Sequence, residues 1–356
     1  MKATKCMVYV LCCTGLLFAC KNSDDLTLTK LPSSSAVATT STTGVHEPLT
    51  VITIAGKAWE NGSTDGPGKQ ARFSYPNGID VMDDGTIYVA DEFNDKIRKI
   101  SNSDIVSTVA IPKSSDGESL SSPGRVRIKK DGTINILAFD AYSVPKHKIW
   151  IIKPSGEVLT PGLKPENMPA GFSPYHYADL QKDPYNNLLW ISGSYNDASK
   201  NRGVLEKFYV NNGNIGTSPF FPPVDSLTAE GKNNPSISSF FCGYNGVKYM
   251  VINGNYIYKY TSSGVFTRIY RNLAFHGITS IVANRDSLAI YIADDGKIKR
   301  IVKNTLQTLV GPQPALNRAD GVGSKADVYA NQLGLSKDEN TLYFTDDNMV
   351  RKLLLK

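Results

Sequence analysis

Three stretches of this chain are built alike. Tyr88-Val-Ala-Asp91, Tyr291-Ile-Ala-Asp294 and Tyr343-Phe-Thr-Asp346 each close a run of β-branched and aromatic residues on an aspartate. A turn precedes each (Asp84-Gly85, Arg285-Asp286, Glu339-Asn340) and a basic pair follows (Arg98-Lys99, Lys299-Arg300, Arg351-Lys352). A unit this short cannot bury its own apolar faces, so copies must pack on one another, which confines the fold to repeat architectures. Each copy reads as strand, turn, strand, turn, strand, followed by a fourth strand such as residues 105–110 or 305–310. No helical period of 3.6 interrupts the pattern. Four short antiparallel strands per unit describe a propeller blade.

Weaker copies begin near residues 125, 176 and 237, and with the clear ones near 78, 277 and 334 they make six. The sequence thus predicts an all-β chain, a six-bladed β-propeller of four-stranded antiparallel blades. The last copy runs out at Lys356 after three strands, while residues 51–55 (Val-Ile-Thr-Ile-Ala) stand unassigned ahead of the first. We expect this N-terminal strand to lie beside residues 349–355 and close the ring, because closure removes exposed sheet edges. The segment Asp65-Gly-Pro-Gly-Lys-Gln-Ala-Arg-Phe73 also recurs, as Asp320-Gly-Val-Gly-Ser-Lys-Ala-Asp-Val328. Together with Pro76-Asn-Gly-Ile79 and the Tyr-Val-Ala-Asp strand, it resembles the NHL repeat family, which implies the same propeller.

The first twenty residues read as a leader: Lys2 and Lys5, then an apolar run over 7–19 that is too short to span a bilayer. Its end, Leu17-Phe18-Ala19-Cys20, resembles a bacterial lipobox, whose cysteine carries lipid. Residues 21–47, rich in Ser and Thr, read as a tether, leaving 48–356 for the propeller. Asp24-Asp25 resembles the surface-export signal of Bacteroidetes lipoproteins, which implies the outer membrane, lipid-anchored at Cys20 and facing the exterior. Four of five cysteines lie in the leader, so no disulfide framework is available and Cys242 reads as a small buried apolar residue. The formal net charge of +6 is spread without a dense basic block, so nucleic acid is not implied. The expected state is a monomer.

Loops that join the outer strand of one blade to the inner strand of the next converge on one mouth of a propeller's channel and are the expected place for ligands. Here they cover 56–77, 111–124, 161–175, 218–236 and 311–332, longer than ordinary connections. They supply Trp59, Tyr75, Tyr175 and Tyr177 for stacking, beside Asn77, whereas Phe73 shares a repeat position with Val328 and reads as core. Asp80, Arg127, Asp179 and Thr279 fall on inner strands and are expected to line the channel, with Asp80 and Arg127 paired across neighbouring blades. His176 and His276 open two inner strands. Resemblance to the NHL peptidyl-hydroxyglycine lyases implies a histidine-bound channel metal, but a catalytic zinc normally takes three protein ligands, and of the other two histidines His46 lies in the tether and His147 at a hairpin. No catalytic or metal residue is therefore assigned and no cofactor is expected, with channel zinc, or calcium at Asp80 or Asp179, as the alternatives. Asp91, Asp294 and Asp346 recur once per blade, as a turn contact does and an active site does not. Gly66-Pro-Gly-Lys69 lacks the Ser/Thr and helix of a P-loop, and residues 80–85 lack the terminal glutamate of an EF-hand. The function expected is binding of a glycan or a surface protein partner. A metal-dependent lyase or lactonase and an envelope scaffold are the rival readings.

Overall fold

A computed structural model describes residues 47–139, 147–161, 173–196, 201–211, 214–223 and 235–356. Cys20, the tether and Tyr142 lie outside them, as does the side chain of Tyr175. Among the described residues twenty-six strands form six antiparallel sheets. Blade 1 runs β3 (Pro76–Val81), β4 (Ile87–Asp91), β5 (Lys96–Ile100), β6 (Ile105–Val109), from the channel outwards. Blade 2 follows with β7 (Pro123–Ile128) to β10 (Val158–Leu159), blade 3 with β11 (Ser173–Lys182) to β14 (Asn214–Phe220), and blade 4 with β15 (Ile237–Cys242) to β18 (Phe266–Ile269). Blade 5 runs from β19 (Ile278–Ala283) to β22 (Thr305–Val310). Blade 6 takes β24 (Ala330–Leu335), β25 (Thr341–Asp346) and β26 (Met349–Leu354) from the C-terminus and β1 (Thr50–Gly56) from the other end of the propeller.

The closure has the expected register, Val51 opposite Leu353, Thr53 opposite Arg351 and Gly56 opposite Met349. Val51, Ile54 and Ala55 are buried on closing. Blades 1 and 6 exceed the four strands expected of them. In each, the recurring Asp-Gly-x-Gly segment adds a fifth, two-residue strand: β2 (Gly66–Pro67) against β6, and β23 (Gly321–Val322) against β1. The motif's second glycine is forced by contact in the first copy, since a Cβ on Gly68 would sit 1.9 Å from the Ile54 carbonyl oxygen. Phe73 and Val328 behind these segments are fully buried, as their shared repeat position requires.

The described core divides into six clusters, one in each seam between neighbouring blades; the seam of blades 6 and 1, for example, holds Ile54, Phe73, Val89 and Val350. Each sheet twists and presents an apolar face to its neighbour, so the ring leaves only the inner strands facing the channel.

Candidate functional site

Every inner strand carries a break in its pairing with the second strand of its blade, near the end where the strand enters the channel. The shifts fall between Pro76 and Ile79, Pro123 and Arg125, Pro174 and His176 (with another between Tyr177 and Asp179), Ile237 and Ser239, Ile278 and Ser280, and Ala330 and Leu333. Such bulges re-aim side chains and recur beside functional sites. Bulge positions Asn77, Gly124, Ala178 and Ser238, from four successive blades, line a cavity of about 270 Å³ at this mouth, along with Glu92, Arg125, Leu137, Phe139, His147 and His176. Gly78 permits the close approach this needs, because a Cβ there would stand 2.7 Å from the Arg125 Cα.

Arg125 donates to Asn77 Oδ1 at 3.0 Å and to Asp179 Oδ1 at 3.2 Å. Asn77 in turn donates to Glu92 at 2.7 Å. Burial raises the Glu92 carboxyl above its ordinary value, opposed by the Asn77 bond and the Arg125 charge. His147 accepts the Tyr177 N–H on Nδ1 and meets His176 edge to face, ring centres 4.6 Å apart. Burial first, then the nearby His176 and Arg125, push the His147 imidazole down to about 3, so it is neutral at physiological pH.

Below lies a layer of polar groups that satisfy one another. Asp179, fully buried, accepts from Arg125, Gln181 Nε2, Ser239 Oγ and the N–H groups of Leu180 and Phe240. Arg127 reaches Gln181 and the carbonyl of Ile79, and Gln332 donates to the Thr279 carbonyl. The expected Asp80–Arg127 pair does not form. Asp80 takes Lys182 at 2.7 Å, two blades away, and the N–H of Ile128, while Arg127 lies 3.9 Å from Asp179. The sequence shows that both side chains enter the channel but not the depth at which each arrives.

The opposite mouth, where inner strands turn into second strands, opens a cavity of about 750 Å³ lined from all six blades, including Asp80, Arg127, Lys182, Tyr244, Val282 and Leu335. Its charges are largely spent on each other: Asp80 with Lys182, Asp83 with Lys337, Asp183 with Lys248.

The first mouth carries an aromatic face. Trp59 (60 % exposed), Tyr75 (49 %), Phe93 (67 %) and Tyr329 (50 %) stand out from blades 6 and 1 and the loops beside them. Tyr75 stacks on Phe93 with ring centres 4.9 Å apart, and the Arg318 guanidinium lies 5.3 Å from the Trp59 ring and 5.4 Å from that of Tyr329. Trp59 and Tyr75 have φ of 62° and 53°, left-handed backbone that large side chains rarely adopt. Adjacent residues of one turn hold them there: Asp347 accepts the Trp59 N–H at 2.6 Å, and Asn348 accepts that of Tyr75 at 3.1 Å.

The other singled-out residues fall differently. Tyr177 is buried, its hydroxyl on Tyr195 and Glu206. Thr279 is exposed at the bulge of its inner strand and donates to the Asn331 carbonyl, at the bulge of the next, at 2.6 Å. His276 is exposed, its backbone N–H capped by Asp294; His176 therefore packs with His147 in place of His276. Among the described residues no three His, Cys, Asp or Glu side chains converge as metal ligands. The repeated aspartates are turn caps and buried ion pairs. Asp91 accepts the Ser74 N–H and pairs with Arg98 at 2.8 Å, Asp294 pairs with Lys299, and Asp346 pairs with Arg351 at 2.7 Å. Arg98 and Arg351 also reach the aspartate of the Asp-Gly-x-Gly motif, Asp65 and Asp320 respectively. Glu92, Phe93, Arg125, Arg318 and Tyr329 were not singled out by sequence, and His147 was set aside at its hairpin. A signal existed only for Phe93, an aromatic directly after a turn aspartate and a glutamate, Asp91-Glu92-Phe93.

Residues 73–96 match the family model described as NHL repeat. The chain is a six-bladed propeller, and its likeness to the NHL repeat model lies in these residues of blade 1. A structure described as an auxiliary nutrient binding protein from Bacteroides thetaiotaomicron is similar to this propeller, with a TM-score of 0.62 and 14% identity over 86% of this chain and 76% of that one. So is a Bacteroides thetaiotaomicron protein of unknown function, with a TM-score of 0.60 and 17% identity over the same shares. A gluconolactonase from Xanthomonas campestris gives a TM-score of 0.53 at 8% identity, covering 86% of this chain and 89% of its own. At these identities the likeness is one of fold. A search of curated proteins finds no match.

Proposed function

We propose that this NHL-repeat propeller is a lipid-anchored binding protein of the bacterial outer surface that captures a glycan on the aromatic face of its first mouth. One observation carries the reading: Trp59 and Tyr75 are held exposed on left-handed backbone by hydrogen bonds from a neighbouring blade. Left-handed backbone at a non-glycine residue costs on the order of 1–3 kcal/mol, and such strain gathers at ligand clamps. Aromatic rings flanked by polar groups suit a sugar, whose C–H faces stack on the ring while its hydroxyls meet the groups beside it: Asn317, which accepts the Trp59 indole N–H at 2.8 Å, Asn61, which accepts from Asn348 at 2.7 Å, and Asp347. The lipobox-like end of the leader at Cys20 and the Asp24-Asp25 pair after it support anchoring and export to the surface, where polysaccharide is met. The label of the Bacteroides neighbour as nutrient binding agrees with a capture role.

The test is a polysaccharide array with wild-type propeller and the Trp59→Gly and Tyr75→Gly variants. Glycine accepts positive φ freely, so both variants should keep stability within about 1 kcal/mol of wild type while glycan binding falls at least about tenfold. Glycan binding retained by the double variant would overturn the proposal. Incorporation of labelled palmitate, lost in Cys20→Ala, checks the anchor.

A further inference from the structure

The cavity of about 270 Å³ beneath the bulges lies beside the aromatic face, but none of that face's four exposed rings lines it, and it has a chemistry of its own. Two opposite charges line it without closing on each other. Asn77 stands between them, its Oδ1 accepting from Arg125 at 3.0 Å and its Nδ2 donating to Glu92 Oε2 at 2.7 Å. Asn331 also donates to Asn77 Oδ1, at 3.3 Å, which fixes the amide further. Among the described residues, Arg125 Nη2 and Glu92 Oε1 have no hydrogen-bond partner. The span from guanidinium to carboxylate is therefore one amide plus two hydrogen bonds, close to that of a ligand carrying an anion and a cation on one carbon.

We propose that this cavity binds a free α-amino acid with an apolar side chain, its carboxylate on Arg125 and its ammonium on Glu92. A simple anion would set an uncompensated charge against Glu92, and a simple cation would do so against Arg125. A zwitterion satisfies both at no net charge, which matters because an unpaired charge in a partly buried site is costly. Leu137, Phe139 and the His147–His176 pair supply the apolar wall for the side chain. The neutral state of His147 keeps that wall uncharged. The volume admits one amino acid and excludes an oligosaccharide, so the site is separate from glycan capture and stands or falls independently of it.

Titration calorimetry on the full propeller tests this with L-leucine and L-phenylalanine, each beside its N-acetyl and amide derivatives. At least one free amino acid should bind one to one, and blocking either charge should weaken it at least about tenfold. Glu92→Gln and Arg125→Gln should each do the same with the free amino acid. Arg125 also serves buried Asp179, so if its variant fails to fold, Glu92→Gln, whose amide can still accept from Asn77, carries the test alone. Binding by neither amino acid overturns the proposal. Equal binding of the N-acetyl derivative overturns it in favour of an anion site, and equal binding of the amide in favour of a cation site.

Discussion

Single residues in this propeller divide into those that carry the ring and those spent on its mouth. Arg98 and Arg351 belong to the first group: each guanidinium is fully buried and joins a turn aspartate, two backbone carbonyls and the aspartate just ahead of the fifth strand. Burial drives Asp91 above its ordinary value even though Asn94, the Ser74 N–H and Arg98 all oppose it. Removing the guanidinium leaves that carboxyl buried without its counter-charge, so Arg98→Met should cost about 3–5 kcal/mol in urea unfolding. His147 gives a pH dependence. The unfolded chain takes up a proton near 6.5, whereas the folded imidazole waits until about 3. Between those values the unfolded state holds the extra proton, so lowering the pH from about 7 towards 4 favours unfolding. His147→Phe should flatten that part of the melting-temperature curve; an unchanged slope would show that the imidazole is not shielded.

At the scale of the element, the bulge is the part that builds a site. A regular inner strand would alternate side chains between the two faces of its blade along its length; a bulge shifts that register and turns Asn77, Gly124 and Ser238 into one cavity wall. Strand proximity is the other requirement. Gly78→Ala would press a methyl group onto the backbone of blade 2 at Arg125, where the contact is with main chain and cannot swing aside. We expect that variant to lose about 1–3 kcal/mol and to weaken ligand binding in the small cavity more than at the aromatic face, measured side by side by calorimetry. The fifth strands of blades 1 and 6 do similar work at the rim. They are too short to matter as ladder, but they bring Asp65 and Asp320 onto the buried arginines and onto Thr108 and Thr53 of the neighbouring strand.

The ring as a whole depends on one pairing between the two ends of the propeller segment. β1 contributes a five-pair ladder to β26, buries Val51, Ile54 and Ala55, and is pinned by Asp320 through the N–H and hydroxyl of Thr53. The two larger side chains alone are worth roughly 1.5–3 kcal/mol each, a large share of the roughly 5–15 kcal/mol that holds a typical domain folded. Deleting residues 48–56 should therefore lower the melting temperature sharply and expose the edge of β26 to self-association, read by scanning calorimetry and light scattering. A deletion protein that melts with wild type would remove the closure from any role in stability.

Fold and ring closure were legible in the sequence because they rest on local pattern: alternating strands, turn residues, and a strand missing at one end with a spare at the other. The turn role of Asp91, Asp294 and Asp346 was legible for the same reason, since a contact made once per blade repeats once per blade. The fifth strands were hidden because two residues are too few to show a period. The small cavity was hidden because Asn77, Glu92, Arg125, His147 and His176 come from three blades, and bulges that no pattern announces set their register. Asp80 and Arg127 show the limit most plainly. Sequence placed both in the channel, but only the tertiary packing of six inner strands decided that Asp80 would meet Lys182 and Arg127 would turn towards Asp179. Local pattern fixes which residues face inwards; the stagger between blades, a property of the closed ring, fixes which of them meet.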